Sequence, residues 1–524
     1  MTTTADPQLG QQPRDMVIPR WQATMAGLIA AVAALVAAEL VAALIGPAQS
    51  PITSIGNAVI NLAPPAVKDL AVELLGTADK PVLIAGVLVV LAIVAAATGV
   101  LAVRRFWWGA GGVVLLGLVG LAAALADARA EGAAAVLPAV AALVTGVVCL
   151  RLLITALKRD ATTGEAAEDR RGFLRAAAVV VGSALLGGGL ARWLTARSTA
   201  AAAPKTAGAL PAADQPLPPV PEGTALSVNG LAPLVTPNAD FYRIDTALGT
   251  PTTPADEWRL TIKGMVDNPM ELTYDQLLEY ELIEADVTLA CVSNEVGGYL
   301  VGNARWLGVR LADVLADARV QPGADQLVGR STDGFTAGSP LETVLDGRDS
   351  LIAIGMNGEP LPAEHGFPAR IVVPGLYGYV SATKWLAELE LTTFDAFDAY
   401  WVPRGWAEKA PIKTQSRIDV PRRGGTVTAG AVAVAGVAWA PSRGIAAVEV
   451  QVDDGPWQQA RLSEALSRDS WRQWVYEWQA TEGEHEIRVR ATDETGETQT
   501  DRMAPPRPDG ASGWHTIPVT VRAA

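Results

Sequence analysis

Cys291 is the residue in this chain best placed to do chemistry. It lies in Thr288-Leu289-Ala290-Cys291-Val292-Ser293-Asn294-Glu295-Val296-Gly297-Gly298, a strand-like segment running into a Gly-Gly loop. The other cysteine of the 524 residues, Cys149, sits in a long apolar stretch. Cys291 therefore has no partner for an intramolecular disulfide, and a lone thiol outside the cell is a liability unless it is buried or bonded. A thiolate is a soft ligand that suits molybdenum, copper, zinc or iron–sulfur centres. No Cys-x-x-Cys pair, no second cysteine and no histidine lies within forty residues of Cys291. Zinc and iron–sulfur sites therefore lack their ligand count. A metal held by one thiolate must bring its other ligands, as a dithiolene cofactor does. Gly297, Gly298 and Gly302 would let backbone amides approach such a large flat group. An inert, buried thiol is the alternative left open by these residues alone.

Composition narrows the class. The chain is too long for one domain. Hydrophobic residues make up 50% and charged residues 18%, and nearly all the long apolar runs precede residue 195. A formal net charge of −14 argues against nucleic-acid binding. The three histidines, His365, His485 and His515, all fall outside the apolar half. That half cannot supply paired imidazoles to a b-type haem, so neither haem nor iron–sulfur is expected.

A bilayer core needs roughly 20 apolar residues per helix. Stretches at about 23–46, 82–103, 106–126, 133–157 and 173–194 meet that length, giving an anchor of five transmembrane helices over residues 1–195. Arg14 and Arg20 precede the first span and Arg104 and Arg105 fill the second connection. Lys158, Arg159, Arg170, Arg171 and Arg175 cluster before the fifth, whereas Lys68 and Lys80 are offset by Asp69, Glu73 and Asp79. Basic residues mark the cytoplasmic side, so the N-terminus reads as inside and everything after the fifth span as extracytoplasmic. Glu39 lies inside the first span, where a membrane acid is a functional candidate by default, with a helix contact or an interfacial position as the structural alternative. Arg170-Arg171-Gly172-Phe173-Leu174-Arg175 resembles a twin-arginine signal placed internally. Four spans would then be inserted unfolded by the Sec route. The fifth would follow a folded, cofactor-loaded domain through the Tat route.

Residues 196–225 read as a Pro/Ala spacer. From 226 to 405 the pattern is mixed α and β. Trp258–Ile262, Val287–Ala290, Leu351–Met356 and Arg370–Val373 read as strands. Thr273 caps a short helix, and Val309–Leu315 and Leu341–Leu345 are helical in spacing. From 412 to 524 short alternating segments and the turns Asp453-Asp454-Gly455 and Asp493-Glu494-Thr495-Gly496 indicate an Ig-like β-sandwich. The fold class expected is thus multi-domain: an all-α membrane bundle, an α+β domain and a C-terminal sandwich.

Cys291-Val292-Ser293-Asn294 with Asn303-Ala304-Arg305-Trp306-Leu307-Gly308-Val309 resembles the sulfite oxidase family of molybdopterin enzymes. So does the run from Met356-Asn357-Gly358-Glu359-Pro360 through His365-Gly366-Phe367-Pro368-Ala369-Arg370 to Pro374-Gly375 and Lys384-Trp385. The likeness extends from about 236 to 521, and with its added five-span anchor the chain resembles the membrane-anchored actinobacterial type. It implies a molybdenum–molybdopterin cofactor, with Cys291 as the metal ligand. It places Asn238, Arg243, Ser293, Asn294, His365, Arg370 and Lys384 around the pterin and its phosphate, with Arg243 near the metal. It also implies two-electron oxygen-atom transfer on a small-molecule substrate, a separate electron carrier and a sandwich-mediated homodimer. Glu295 and Val296 stand where sulfite oxidases carry an arginine. A carboxylate there would repel sulfite, at about 4 kcal/mol per charge pair at about 4 Å and intermediate dielectric. Asp245 replaces the family's histidine, and Tyr400 or Gly405-Trp406 stands near the expected tyrosine. S-oxides or N-oxides therefore compete with sulfite as substrates. A cofactor-free Ig-like binding module is the alternative from another class.

Overall fold

The computed structural model describes residues 18–45, 50–64, 79–127, 132–163, 169–202, 210–221 and 224–523. Arg14, Lys68, Asp69 and Glu73, which entered the topology reading, lie outside them, as do 203–209 and 222–223 of the spacer. The chain divides into two compact units, Met1–Ser198 and Thr199–Ala524.

The first unit is helical. Arg20–Ile45, Lys80–Arg104, Phe106–Ala126, Val136–Arg159 and Gly172–Leu194 are long and apolar enough to cross a membrane. Their alanines and glycines let backbones meet. A Cβ added to Gly27 would lie 2.0 Å from the Ala95 carbonyl oxygen, so the first helix and Asp79–Arg104 pack main chain against main chain. A helix not foreseen from sequence, Pro51–Leu62, is capped by Ser50. The same hydroxyl donates to Glu39 Oε1 at 2.8 Å, which makes Glu39 a helix-end contact.

The second unit begins with one mixed and one antiparallel sheet. The strands are β1 (Arg259–Gly264), β2 (Met270–Thr273), β3 (Leu282–Ala290), β4 (Val301–Arg310), β5 (Gln326–Ser331), β6 (Thr336–Pro340), β7 (Leu351–Met356), β8 (Glu359–Pro360), β9 (Arg370–Val372) and β10 (Leu386–Thr392). One sheet runs β2-β1-β10-β5-β6, and the other β3-β4-β7-β8 with β9 on β7. Thr273 caps Tyr274–Leu277 in a reciprocal box with Gln276, as its position predicts. Val309 and Arg310 end β4, and the helix is Leu311–Ala318 rather than Val309–Leu315. Burial between β3 and β7 holds the apolar Trp306–Val309 run extended, which local spacing could not reveal.

Residues 210–221, read as spacer, lie along β3. The Asp214 amide donates to the Leu282 carbonyl at 2.8 Å and the Leu217 amide to Glu284 Oε2 at 2.9 Å.

Nine further strands follow: β11 (Gln415–Val420), β12 (Thr426–Thr428), β13 (Gly430–Trp439), β14 (Ile445–Val452), β15 (Gln458–Gln459), β16 (Arg461–Leu462), β17 (Arg472–Ala480), β18 (Gly483–Asp493) and β19 (His515–Arg522). They form the sheets β11-β13-β17-β16 and β12-β19-β18-β14-β15. Val434 and Trp474 from the first share one core with Val448, Val489 and Val519 from the second.

Candidate active site

The β3–β4 pair delivers the thiol. All of β3 except Glu284 is buried, so the strand emerges from the core at Cys291, itself 8% exposed. The following loop closes on itself. The Cys291 amide donates to the Leu300 carbonyl at 2.9 Å and the Leu300 amide to Asn294 Oδ1 at 2.8 Å. Asn294 thereby shapes the loop. The amide and hydroxyl of Ser293 both donate toward the Cys291 sulfur, which lowers its pKa. Burial outweighs them and pushes the thiol up, so it stays protonated until a cation draws off the proton.

The sulfur faces a cleft of about 940 Å³, its mouth included. Cys291, Ser293, His365, Arg370 and Lys384 line it; Asn238, Arg243 and Asn294 do not. His365 Nε2 lies 2.9 Å from the Asn238 carbonyl and therefore carries the hydrogen of that bond. Asn238 acts through its main chain here, while its side chain bonds Asn357 and the Met356 carbonyl. Burial lowers the His365 pKa, and Arg370 and Lys384 add to the effect against the Asn238 bond.

Arg370 enters from β9. Its guanidinium donates to the His365 carbonyl at 3.0 Å and lies 5.0 Å from the Trp306 ring centroid. No carboxylate pairs with it among the described residues, and burial lowers its pKa to about 10. Lys384 packs against the turn at Gly366, whose φ of +111° strains any side chain and where an added Cβ would lie 3.1 Å from Lys384. Its ammonium donates to Asp245 Oδ2 at 2.9 Å and to the Glu364 carbonyl at 3.1 Å. Burial lowers its pKa to about 8, with Asp245 opposing.

The same Asp245 draws Arg243 to the rim, 3.1 Å from its Nε, and Arg243 also donates to Thr250. Tyr242 enters the cleft in its place. Its phenol is pushed up by burial and by Cys291, with Arg370 opposing. Glu295 is exposed and does not line the cleft; Asp245 and Asp333 supply its carboxylates. Tyr379, Trp401 and Trp406 form the outer wall. Trp406 was within reach of the sequence reading, but Tyr242 and Tyr379 had no signal beyond residue type. Tyr400 does not line the cleft and carries Arg404 over its ring at 3.7 Å.

Among the described residues no cluster of three or more His, Cys, Asp or Glu side chains could hold a bare metal ion. One sulfur, one imidazole and a buried guanidinium without a counter-ion fit a different guest: a metal that brings its own ligands on an anionic carrier.

Comparison with known proteins agrees. Residues 247–401 match the oxidoreductase molybdopterin binding domain family. The chain is 35% identical to the uncharacterized oxidoreductase YuiH of Bacillus subtilis (strain 168) over 150 residues, 29% of this chain and 72% of that protein. It is 30% identical to human mitochondrial sulfite oxidase over 339 residues, 55% of this chain and 62% of that protein. The chain belongs to the sulfite oxidase family of molybdopterin-dependent oxidoreductases. Its match to the human sulfite oxidase thus spans 62% of that enzyme's length. Among solved structures, sulfane dehydrogenase SoxCD of Paracoccus pantotrophus shares 25% identity over 57% of this chain and 85% of that chain, with a TM-score of 0.48. The matched molybdopterin domain includes Cys291, His365, Arg370 and Lys384 and begins after Arg243 and Asp245.

Proposed function

We propose that this sulfite oxidase-like chain is a membrane-anchored molybdopterin-dependent oxidoreductase catalysing two-electron oxygen-atom transfer outside the cytoplasmic membrane. The observation that carries this reading is the meeting, in one cleft, of the Cys291 sulfur and the unpaired buried charge of Arg370. Cys291 would hold the molybdenum, and Arg370, His365 and Lys384 the pterin and its phosphate. When bound, that cofactor supplies the oxygen-atom exchange and takes up or gives the two electrons. Ser293 stabilises the thiolate once its proton leaves. Asp245 holds Lys384 and turns Arg243 outward, and Tyr379, Trp401 and Trp406 limit water at the mouth. The five apolar helices anchor the chain, with the N-terminus inside. Export of the loaded domain by the Tat route, a separate electron carrier and a homodimer through an Ig-like C-terminal sandwich complete the reading.

Molybdenum analysis of the full chain in detergent tests it. About one metal per chain, lost in Cys291→Ser, is the expected result. Undiminished metal in that variant would refute the assignment of the ligand.

The outer wall favours a second reading of the substrate. Lys384 in the cleft and Arg243 beside it are already paired with Asp245, and much of the remaining wall is aromatic, with Asp333 as a second carboxylate. That suits a neutral S-oxide or N-oxide with apolar substituents better than a sulfite dianion. Comparing kcat/KM for sulfite, methionine sulfoxide and trimethylamine N-oxide decides between the two. Turnover confined to sulfite would sink the second.

A further inference from the structure

The C-terminal pair of sheets grips the segment that carries Cys291 at two places. The first is the loop behind the cysteine. Arg417, on β11, is 3% exposed and donates through Nη1 to the Gly298 carbonyl at 3.0 Å. Asp419 fixes it from the same strand, 2.6 Å from its Nε, and the guanidinium lies 4.8 Å from the Tyr299 ring centroid. His515, on β19, closes the other side. A Cβ added to Gly297 would fall 2.2 Å from His515 Cδ2, so imidazole and loop main chain are in contact. The ring is held by the Ile418 amide, which donates to its Nδ1 at 2.9 Å.

The second place is β3 itself. The Thr288 amide donates to the Asp469 carbonyl at 2.9 Å, and Thr288 Oγ1 accepts from the Trp471 amide at 2.8 Å. Ser467 donates to the Asp286 carbonyl at 2.6 Å. These bonds run from residues over 170 positions downstream to the strand that ends at the thiol. A module whose only task was pairing two copies would have no need to reach the Gly297–Tyr299 turn with a buried, ion-paired arginine.

We infer that Arg417, Asp419 and His515 are positioning residues for Cys291. The C-terminal sheets hold the loop so that the sulfur and the two Ser293 donors keep one geometry. The functional weight of this brace rests on reading Cys291 as the metal ligand; its mechanical part does not.

The full chain, purified in detergent from cells unable to make the cofactor, is treated with iodoacetamide. Labelling of the Cys291 peptide is followed by mass spectrometry. Cys291 is only 8% exposed on the wall of its cleft, so the labelling rate reports how often the loop presents its sulfur to reagent entering there, and thus how firmly the loop is held. Arg417→Met should raise the rate roughly tenfold, the loss of about one charge-assisted hydrogen bond. Arg490→Met, which breaks an ion pair with Glu449 elsewhere in the same sheets, should leave it unchanged. Equal rates for the parent and both variants would overturn the inference, as would equal acceleration by both. Should Arg417→Met not fold, Tyr299→Leu removes the exposed ring beneath the guanidinium and carries the same two outcomes. A Cys291→Ser protein that keeps its molybdenum refutes the ligand reading alone. An unresponsive labelling rate refutes the brace alone.

Discussion

Replacing Arg370 by methionine isolates the electrostatic demand of the site. The residue is 5% exposed, and burial takes its pKa from 12.5 to about 10. At about 1.4 kcal/mol per unit, holding that charge costs the cofactor-free protein about 3 kcal/mol. The bond to the His365 carbonyl and the Trp306 ring offset about 1–2 kcal/mol of it. Methionine keeps much of the volume and removes the charge. The cofactor-free variant should therefore be about 1–2 kcal/mol more stable than the cofactor-free parent, a rise of about 1–3 °C in Tm for a unit of this size. With cofactor supplied the order should reverse, because a bound anion finds its counter-ion only in the parent. Thermal melts of both proteins, each made with and without cofactor synthesis and paired with molybdenum analysis, give the four numbers needed. An equal loss of Tm in both forms would show that Arg370 is a structural hydrogen-bond donor and not an anion's partner.

Three further results are expected. Burial, with Arg417 and Arg423, lowers the His515 pKa from 6.5 to about 4. Between those values the unfolded chain binds the extra proton, so stability present above pH 6.5 is lost as pH falls, by about 3 kcal/mol in all. Urea midpoints from pH 7 to 4 should show this slope, and His515→Gln should flatten it. Asp286 on β3 accepts two bonds from Arg305 on β4, at 2.9 and 2.8 Å, with its side chain 2% exposed. Asp286→Asn should cost about 2–3 kcal/mol in urea unfolding, since it leaves a half-buried guanidinium short of its counter-ion; a change below about 0.5 kcal/mol would show that Glu284 compensates. Asp245→Asn frees Lys384 and Arg243 together. It should raise kcat/KM for sulfite about tenfold and leave that for an uncharged S-oxide within about threefold. No change for sulfite would mean that these cations never meet the substrate.

Much of the chemistry was legible without coordinates. The lone thiol at a strand end, the five apolar stretches and the Thr273 cap follow from residue type and short-range spacing. His365, Arg370 and Lys384 were picked out by the resemblance to the sulfite oxidase family, and one cleft brings those three side chains to the thiol. Direction was harder. Arg243 and Tyr242 are neighbours, and which one faces the cleft depends on Asp245, whose other partner, Lys384, lies 139 residues away. Glu295 looked like a pocket carboxylate because it is close to Cys291 in sequence, yet the loop closure at Leu300 turns it to solvent.

The sequence by itself determined what kinds of atoms are available: a lone thiol at a strand end, a few cations and apolar segments of fixed length. Those are local properties, set by side-chain chemistry and by the periodicity of the backbone. Tertiary structure alone decided which of those atoms share a cavity and what holds them there. Residues 210–221 along β3, the aromatic wall and the Arg417 and His515 contacts all depend on long-range packing. Their partners are chosen by which surfaces can be buried together, and no local pattern encodes that choice.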